Sequence, residues 1–151
     1  MERLIEQMIA SGVLKTPSLI QAFRHVDRAD FIPEAQRKYA YLDEPLQIGY
    51  GQTISQPSTV AFMLELLQPS VGEKVLDIGS GSGWTVALLA HAISHDHYGR
   101  HVASTPPRGK VCGIEVLPEL VRMTLANVSR IGLIRAGLVE IHCRNARNGY
   151  P

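Results

Sequence analysis

Lys74-Val75-Leu76-Asp77-Ile78-Gly79-Ser80-Gly81-Ser82-Gly83 is the stretch that decides how this chain folds. Residues 75–78 form a short apolar run with β-branched ends, which predicts a buried strand. Glycines then alternate at 79, 81 and 83, and residues 84–93, Trp-Thr-Val-Ala-Leu-Leu-Ala-His-Ala-Ile, are apolar and long enough for a helix. A strand running into a glycine-rich turn that opens a helix is the nucleotide-cradling unit of α/β proteins. Glycine suits it because a missing Cβ lets backbone N–H groups approach a ligand and permits positive φ.

The spacing separates ligand classes. A dinucleotide fingerprint, G-x-G-x-x-G, would need glycine at position 84. Trp84 stands there, and Asp77 lies two residues before the first glycine. A carboxylate so placed repels a pyrophosphate and attracts a ligand with an ammonium group and ribose hydroxyls. S-adenosylmethionine has both, together with a sulfonium cation. A tight strand-to-helix turn that binds nothing would share the glycines but has no use for the acid.

Working outward, the pattern of strand, helix, strand, helix, strand continues. Residues 95–109 are polar, with two prolines and two glycines, and read as an exposed loop. Residues 110–116 form a second buried strand. Pro118 opens a helix with Leu120, Val121, Leu125 and Val128 at helical spacing, stopping at Gly132. Residues 138–143 make a third strand. Right-handed crossovers and a parallel sheet follow. Glu115, at the end of the second strand, is placed to accept hydrogen bonds from ribose hydroxyls, the loop 95–109 accounting for its distance from the first glycine.

Before the glycine turn, residues 3–13 predict an amphipathic helix, and Thr16 with Pro17 caps and opens a second helix through about His25. Residues 27–57 hold Pro33, Pro45, Gly49, Gly51 and Pro57, too many breakers for long regular elements. Pro57 opens a third helix with Val60, Ala61, Met63, Leu64 and Leu67 on its apolar face.

The chain has 151 residues, 45% hydrophobic and 19% charged, and a net charge of +1. That is one domain of ordinary globular composition. Arg24, Arg28, Arg37, Lys38, Arg144 and Arg147 are scattered and form no basic stripe, so composition argues against nucleic acid and an anionic membrane surface. No apolar run approaches the ~20 residues that span a bilayer, and the first residues lack the pattern of a signal peptide. Cys112 and Cys143 sit in strand-like contexts without metal spacing and read as reduced core cysteines of a cytoplasmic protein. His91, His95, His97 and His101 have no companion cluster for a metal, and none is expected.

Residues 41–57, Tyr-Leu-Asp-Glu-Pro-Leu-Gln-Ile-Gly-Tyr-Gly-Gln-Thr-Ile-Ser-Gln-Pro, resemble the signature of protein-L-isoaspartate O-methyltransferases, a run of the form P-x-x-I-G-x-G-Q-T-I-S-x-P ahead of the cofactor turn. The likeness continues through residues 64–67, 75–83, Ile114-Glu115 and 118–120, and residues 31–34 resemble the family's N-terminal region. It covers about residues 3–150, apart from an enlarged loop at 95–109. The resemblance implies a Rossmann-like class I methyltransferase fold in a single domain, 1–151. Residues 1–57 would be a helical and substrate-loop region, and residues 58–151 the cofactor-binding half, with three evident strands of an incomplete parallel sheet. It implies methyl transfer from S-adenosylmethionine to the α-carboxylate of L-isoaspartyl residues in damaged proteins. Ser55 is placed at the methyl-transfer site and Thr53 and Ile54 at the substrate pocket. Asp77, Gly79, Ser80, Gly81, Gly83, Glu115 and Asn145 are placed at the cofactor. Few catalytic groups are needed, because alignment and exclusion of water supply most of the acceleration. Ser55 is also placed to cap the helix that starts near Pro57, and both roles are compatible.

The chain departs from the family in two places. Arg144-Asn145-Ala146 replaces a Gly-Asp-Gly at the third strand end, so Asn145 meets the adenine amine without a charge. The chain also ends at Pro151, whereas family members continue with further strands and helices. A truncated product, weak cofactor binding and self-association through the open edge of the first strand are therefore expected. A non-catalytic module on the same fold, and a methyltransferase for RNA or a small molecule, remain alternatives.

Overall fold

The computed structural model describes residues 1–96, 98–102 and 109–149. Two helices, α1 (Glu2–Ala10) and α2 (Pro17–His25), open the chain, followed by two 3-10 segments, Arg28–Phe31 and Glu34–Tyr39. A hairpin of β1 (Leu46–Gly49) and β2 (Gln52–Ile54) leads into α3 (Pro57–Leu67). The glycine-turn unit is β3 (Lys74–Ile78) and α4 (Trp84–Ser94), and β4 (Lys110–Glu115), α5 (Pro118–Arg130) and β5 (Val139–Cys143) complete the described sheet. The strands are parallel in the order β3-β4-β5, as two crossovers of strand, helix and strand require.

The register brings Val75, Val111 and Val139 side by side, with Asp77, Gly113 and Ile141 one step further along the same face. That face meets α4. A Cβ on Gly113 would lie 2.7 Å from Ile141 Cδ1 and 3.2 Å from Val86 Cγ2, so helix and sheet are pressed together there. Every residue of α4 except Thr85 is buried. The continuous apolar run of 84–93 thus marks a helix wrapped on all sides. On its N-terminal flank α2 contributes Phe23, whose ring stands edge-on to Trp84 at 5.6 Å and 85°.

Strand β3 differs from expectation. It is half-buried on one face and exposed on the other, where Leu76 is 43% exposed and Ile78 65%. The sequence run is apolar on both faces, but among the described residues helices cover one. The outer edge of β3 also has no strand partner among them, as the family comparison of the sequence implies. Cys112 is buried, whereas Cys143 is exposed and not a core residue. Cys143 ends β5, the opposite edge strand, whose burial falls away toward that end, so the expectation of a core cysteine fails there.

Thr16 precedes α2 as expected but does not cap it with its hydroxyl, which donates instead to Glu65 Oε2 at 2.7 Å. The other oxygen, Oε1, accepts from the backbone N–H groups of Lys15 and Thr16, so Glu65 ties α3 to the start of α2. No described helix is long and apolar enough to cross a membrane.

The histidines do form a cluster, though not with the membership the sequence suggests. His25, His91 and His95 stack in succession, with ring centroids 5.0 and 3.9 Å apart, and His101 stands edge-on to His95 at 5.1 Å. His97 lies outside the described residues, and among those described no group of three His, Cys, Asp or Glu side chains is arranged to hold a metal ion. His91 is the buried member, and neither of its ring nitrogens has a hydrogen-bond partner. Burial, with His95 and His25 beside it, pushes its pKa down to about 3. Between about pH 6.5 and 3 the unfolded chain therefore binds a proton that the folded chain refuses, and stability falls as pH falls. Replacing His91 with Leu removes two unpaired polar atoms and this proton linkage. The variant is expected to match or exceed the parent at pH 7 and to lose less stability on acidification to pH 5. Urea unfolding at both pH values tests this; parallel losses would place the acid sensitivity elsewhere.

Candidate functional site

The carboxyl ends of β3, β4 and β5 open into a cleft of about 380 Å³, lined by Ile78, Gly79, Ile114, Glu115, Val116 and residues 144–147. Parallel strands put these ends on one edge of the sheet, where α/β proteins hold their ligands. The glycine turn forms one wall. The backbone N–H groups of Gly79 and Ser80 both donate to the Ile114 carbonyl, at 2.8 and 3.1 Å, which pins the turn to the neighbouring strand.

The glycines serve different needs. Gly79 has φ +86°, and a Cβ there would meet nothing within 4 Å, so the space beside it is open. Gly83, also left-handed at φ +92°, begins α4, and a Cβ there would lie 2.9 Å from Thr124 Cγ2 of α5. Its requirement is close helix packing, not approach to the cleft.

Glu115 is buried and holds the edge together. Its Oε2 accepts from Gly81 N–H at 3.1 Å, and its Oε1 from Val116 and Leu117 N–H at 2.7 and 3.0 Å. A carboxylate accepts about four hydrogen bonds, so one acceptor position, on Oε2, is left over. Asp77 lies beside it in a different state. Its Oδ2 is buried without any partner, as is Ser80 Oγ. Burial, with Glu115 adding repulsion, raises the Asp77 pKa to about 6. A buried carboxylate oxygen with no donor is costly, and a cationic or hydroxyl-bearing ligand is what relieves it. Asn145 is exposed at the far side of the cleft, and its Oδ1 accepts from Arg147 N–H at 2.9 Å, capping the 3-10 turn Ala146–Asn148.

The structure thus brings Gly79, Glu115 and Asn145 to the cleft wall, with Ser80 and Gly81 on the turn that supports it and Asp77 in β3 just before that turn. Thr53, Ile54 and Ser55 belong to the hairpin and do not line this cleft. Thr53 and Ser55 are exposed, while Ile54 is 5% exposed and packs in the core, so its side chain anchors the hairpin. The hairpin touches the glycine turn through Ile48, whose Cδ1 lies 3.7 Å from where a Cβ on Gly81 would be. Ser55 does not cap α3. Gln56 holds that position without a side-chain bond, and Asp43 Oδ1 accepts from Ser58 N–H at 2.8 Å.

Sequence reasoning missed the hairpin itself. Its tip, Gly49-Tyr50-Gly51, is left-handed at all three residues. The two glycines are the signal that could have found it. It also missed Arg28, counted among scattered surface bases but completely buried.

The whole chain, residues 1–151, matches the family model described as protein-L-isoaspartate(D-aspartate) O-methyltransferase. Among curated proteins it is 39% identical over 149 residues to a protein-L-isoaspartate O-methyltransferase of Aeropyrum pernix, covering 99% of this chain and 52% of that protein. It is 37% identical over 150 residues to one of Methanopyrus kandleri, covering 99% and 60%. Among solved structures it superposes with a TM-score of 0.79 and 27% identity on a protein-L-isoaspartate O-methyltransferase from Plasmodium falciparum, crystallised with S-adenosyl-L-homocysteine. That match covers 95% of this chain and 62% of the other. The chain therefore spans a little over half the length of the relatives it matches, and its architecture is the Rossmann-like class I methyltransferase sheet.

The raised pKa of Asp77 has a measurable sign. Between about pH 4 and 6 the folded chain keeps a proton that the unfolded chain has released, so ligand-free stability falls as pH rises. An Asp77→Asn variant carries no such linkage. It is expected to be more stable than the parent above pH 6, by on the order of 2 kcal/mol, with the difference vanishing near pH 4. Urea midpoints taken from pH 4 to 7.5 report this, and superimposable pH profiles would show that the carboxyl is not confined as described.

Proposed function

The chain belongs to the protein-L-isoaspartate O-methyltransferase family, and from that premise we propose that it transfers a methyl group from S-adenosylmethionine to the α-carboxylate of L-isoaspartyl residues in damaged proteins. The observation that carries the reading is the unpartnered Asp77 Oδ2 beneath an open glycine turn, with Glu115 holding one acceptor position in reserve. The residues fit the cofactor: buried acid, open space at Gly79 and a cleft beyond it. The S-adenosyl-L-homocysteine in the Plasmodium falciparum relative supports the same ligand class.

In this reading Asp77 and the turn Gly79-Ser80-Gly81, backed by Gly83, receive the amino-acid end. Glu115 accepts from the ribose hydroxyls, and Asn145 faces the adenine amine. When bound, S-adenosylmethionine supplies a methyl group on a positively charged sulfur, an electrophile that needs no further activation. The chain's own task is placement. Ser55, exposed at the end of the hairpin, donates a hydrogen bond to the substrate carboxylate, and Thr53 lines the same approach. Ile54 holds both down from the core. A carboxylate is already a nucleophile, so orientation and a dry contact are what remain to be provided. Residues 1–57 supply the substrate side and residues 58–151 the cofactor side.

The two free cysteines suit a reducing cytoplasm, where we place the protein. A net charge of +1 gives no support to an RNA substrate. The open edge of β3, with Leu76 and Ile78 exposed, supports association with a second copy. A non-catalytic module would bind cofactor and transfer nothing.

Methyl transfer from tritiated S-adenosylmethionine to an isoaspartyl peptide, run beside its aspartyl twin, tests the proposal. Label is expected on the isoaspartyl peptide alone. Ser55→Ala is expected to lower kcat/KM for the peptide about 10–100-fold, the worth of one charge-assisted hydrogen bond. Cofactor affinity measured by calorimetry should be unchanged. Cofactor binding without transfer to either peptide would favour the module.

A further inference from the structure

We propose that Arg28 is a positioning residue: its buried guanidinium fixes the hairpin that carries Ser55 against the helix that follows the glycine turn. The inference rests on the role given to Ser55 above, and its structural half can be tested without it.

Arg28 is fully buried, yet among the described residues no carboxylate forms an ion pair with it. The charge of Asp43 acts on it, but the oxygens of Asp43 are taken by Ser58 N–H and the Gln56 side chain. All four hydrogen bonds of Arg28 go to backbone carbonyls. One terminal nitrogen, Nη1, donates to Ala40 at 2.9 Å and Leu42 at 3.3 Å. The other, Nη2, donates to Glu44 at 2.8 Å and Ser55 at 3.0 Å. The acceptors fall in two groups, residues 40–44 before the hairpin and residue 55 directly after it. A single planar group therefore grips both legs of the loop at its base. The guanidinium carbon lies over the ring of Trp84, the residue after Gly83, 5.4 Å from its centre.

An unpaired buried cation is an expensive way to hold a loop. Burial lowers its pKa to about 10, which still leaves it charged at neutral pH. A neutral side chain would fill the space at lower cost, so filling space does not explain the choice. What the guanidinium provides is a rigid fork of donors with a flat face, and lysine has neither. The carbonyl it holds at residue 55 belongs to the same residue whose hydroxyl is offered to substrate, and the ring it lies over directly follows the cofactor turn. Arg28 thus sets the separation of the two halves of the site without touching either ligand.

The test uses Arg28→Lys and Arg28→Met. Amide hydrogen exchange in residues 46–56 should accelerate at least about tenfold in both variants, while amides of α4 and β4 keep their protection. For the isoaspartyl peptide, kcat should fall about 100-fold with cofactor affinity unchanged, as expected for misplacement. Lysine, which keeps the charge, should not rescue. Parental exchange in the hairpin, recovery of kcat by lysine, or loss of protection spread evenly over the chain would overturn the inference. Should neither variant fold, arginine side-chain NMR on the parent decides. Four fixed hydrogen bonds predict resolved, slowly exchanging η protons for Arg28, and a freely rotating guanidinium would refute them. If the parent transfers no methyl group, the functional reading fails, and the exchange data still judge whether Arg28 holds the hairpin.

Discussion

A single buried carboxylate organises the ligand edge of this molecule. Glu115 takes N–H groups from Val116 and Leu117, which follow it just before α5, and from Gly81 of the glycine turn, so one side chain ties the end of β4 and the approach to α5 to a turn distant in sequence. Remove those acceptors and three half-buried bonds are lost at once. Burial, with the charge of Glu115 added to it, disfavours the ionised form of Asp77 beside it. The edge is thus built around an electrostatic conflict that a suitable ligand resolves.

The hairpin, proposed above as the substrate side, follows a different logic. The hairpin has three core anchors, Leu46, Ile48 and Ile54, and otherwise turns an exposed surface outward. So short a two-stranded ribbon has little stability of its own. Its shape is borrowed from Arg28 below and from the glycine turn beside it, through Ile48. The two halves are therefore mechanically linked although they lie in different sheets.

What could be read from the sequence was local. The strand, glycine turn and helix at 74–94 announce themselves by period and by glycine placement, and Glu115 follows from where the next strand must end. The proline-opened helices at Pro17, Pro57 and Pro118 stand where expected. What escaped depends on contacts across long stretches of chain. Arg28 looks like any surface base until residues 40–55 fold over it. Ser55 loses its expected capping role because Asp43, fifteen positions before Ser58, reaches that N–H first. The exposed faces of Leu76 and Ile78 are invisible to a hydrophobic pattern, which reports what a side chain prefers and not what covers it. The histidine stack likewise joins α2 to α4 through partners that no local spacing reveals.

The two thiols occupy opposite circumstances on the same sheet. Cys112 is enclosed within the middle strand, whereas Cys143 emerges immediately before the segment 144–147 that walls the cleft. A bulky alkylating dye meets one thiol and is denied the other. The molecule thereby carries a built-in attachment point for a fluorescent reporter at the mouth of its cleft, and occupancy can be followed optically with no change to its sequence.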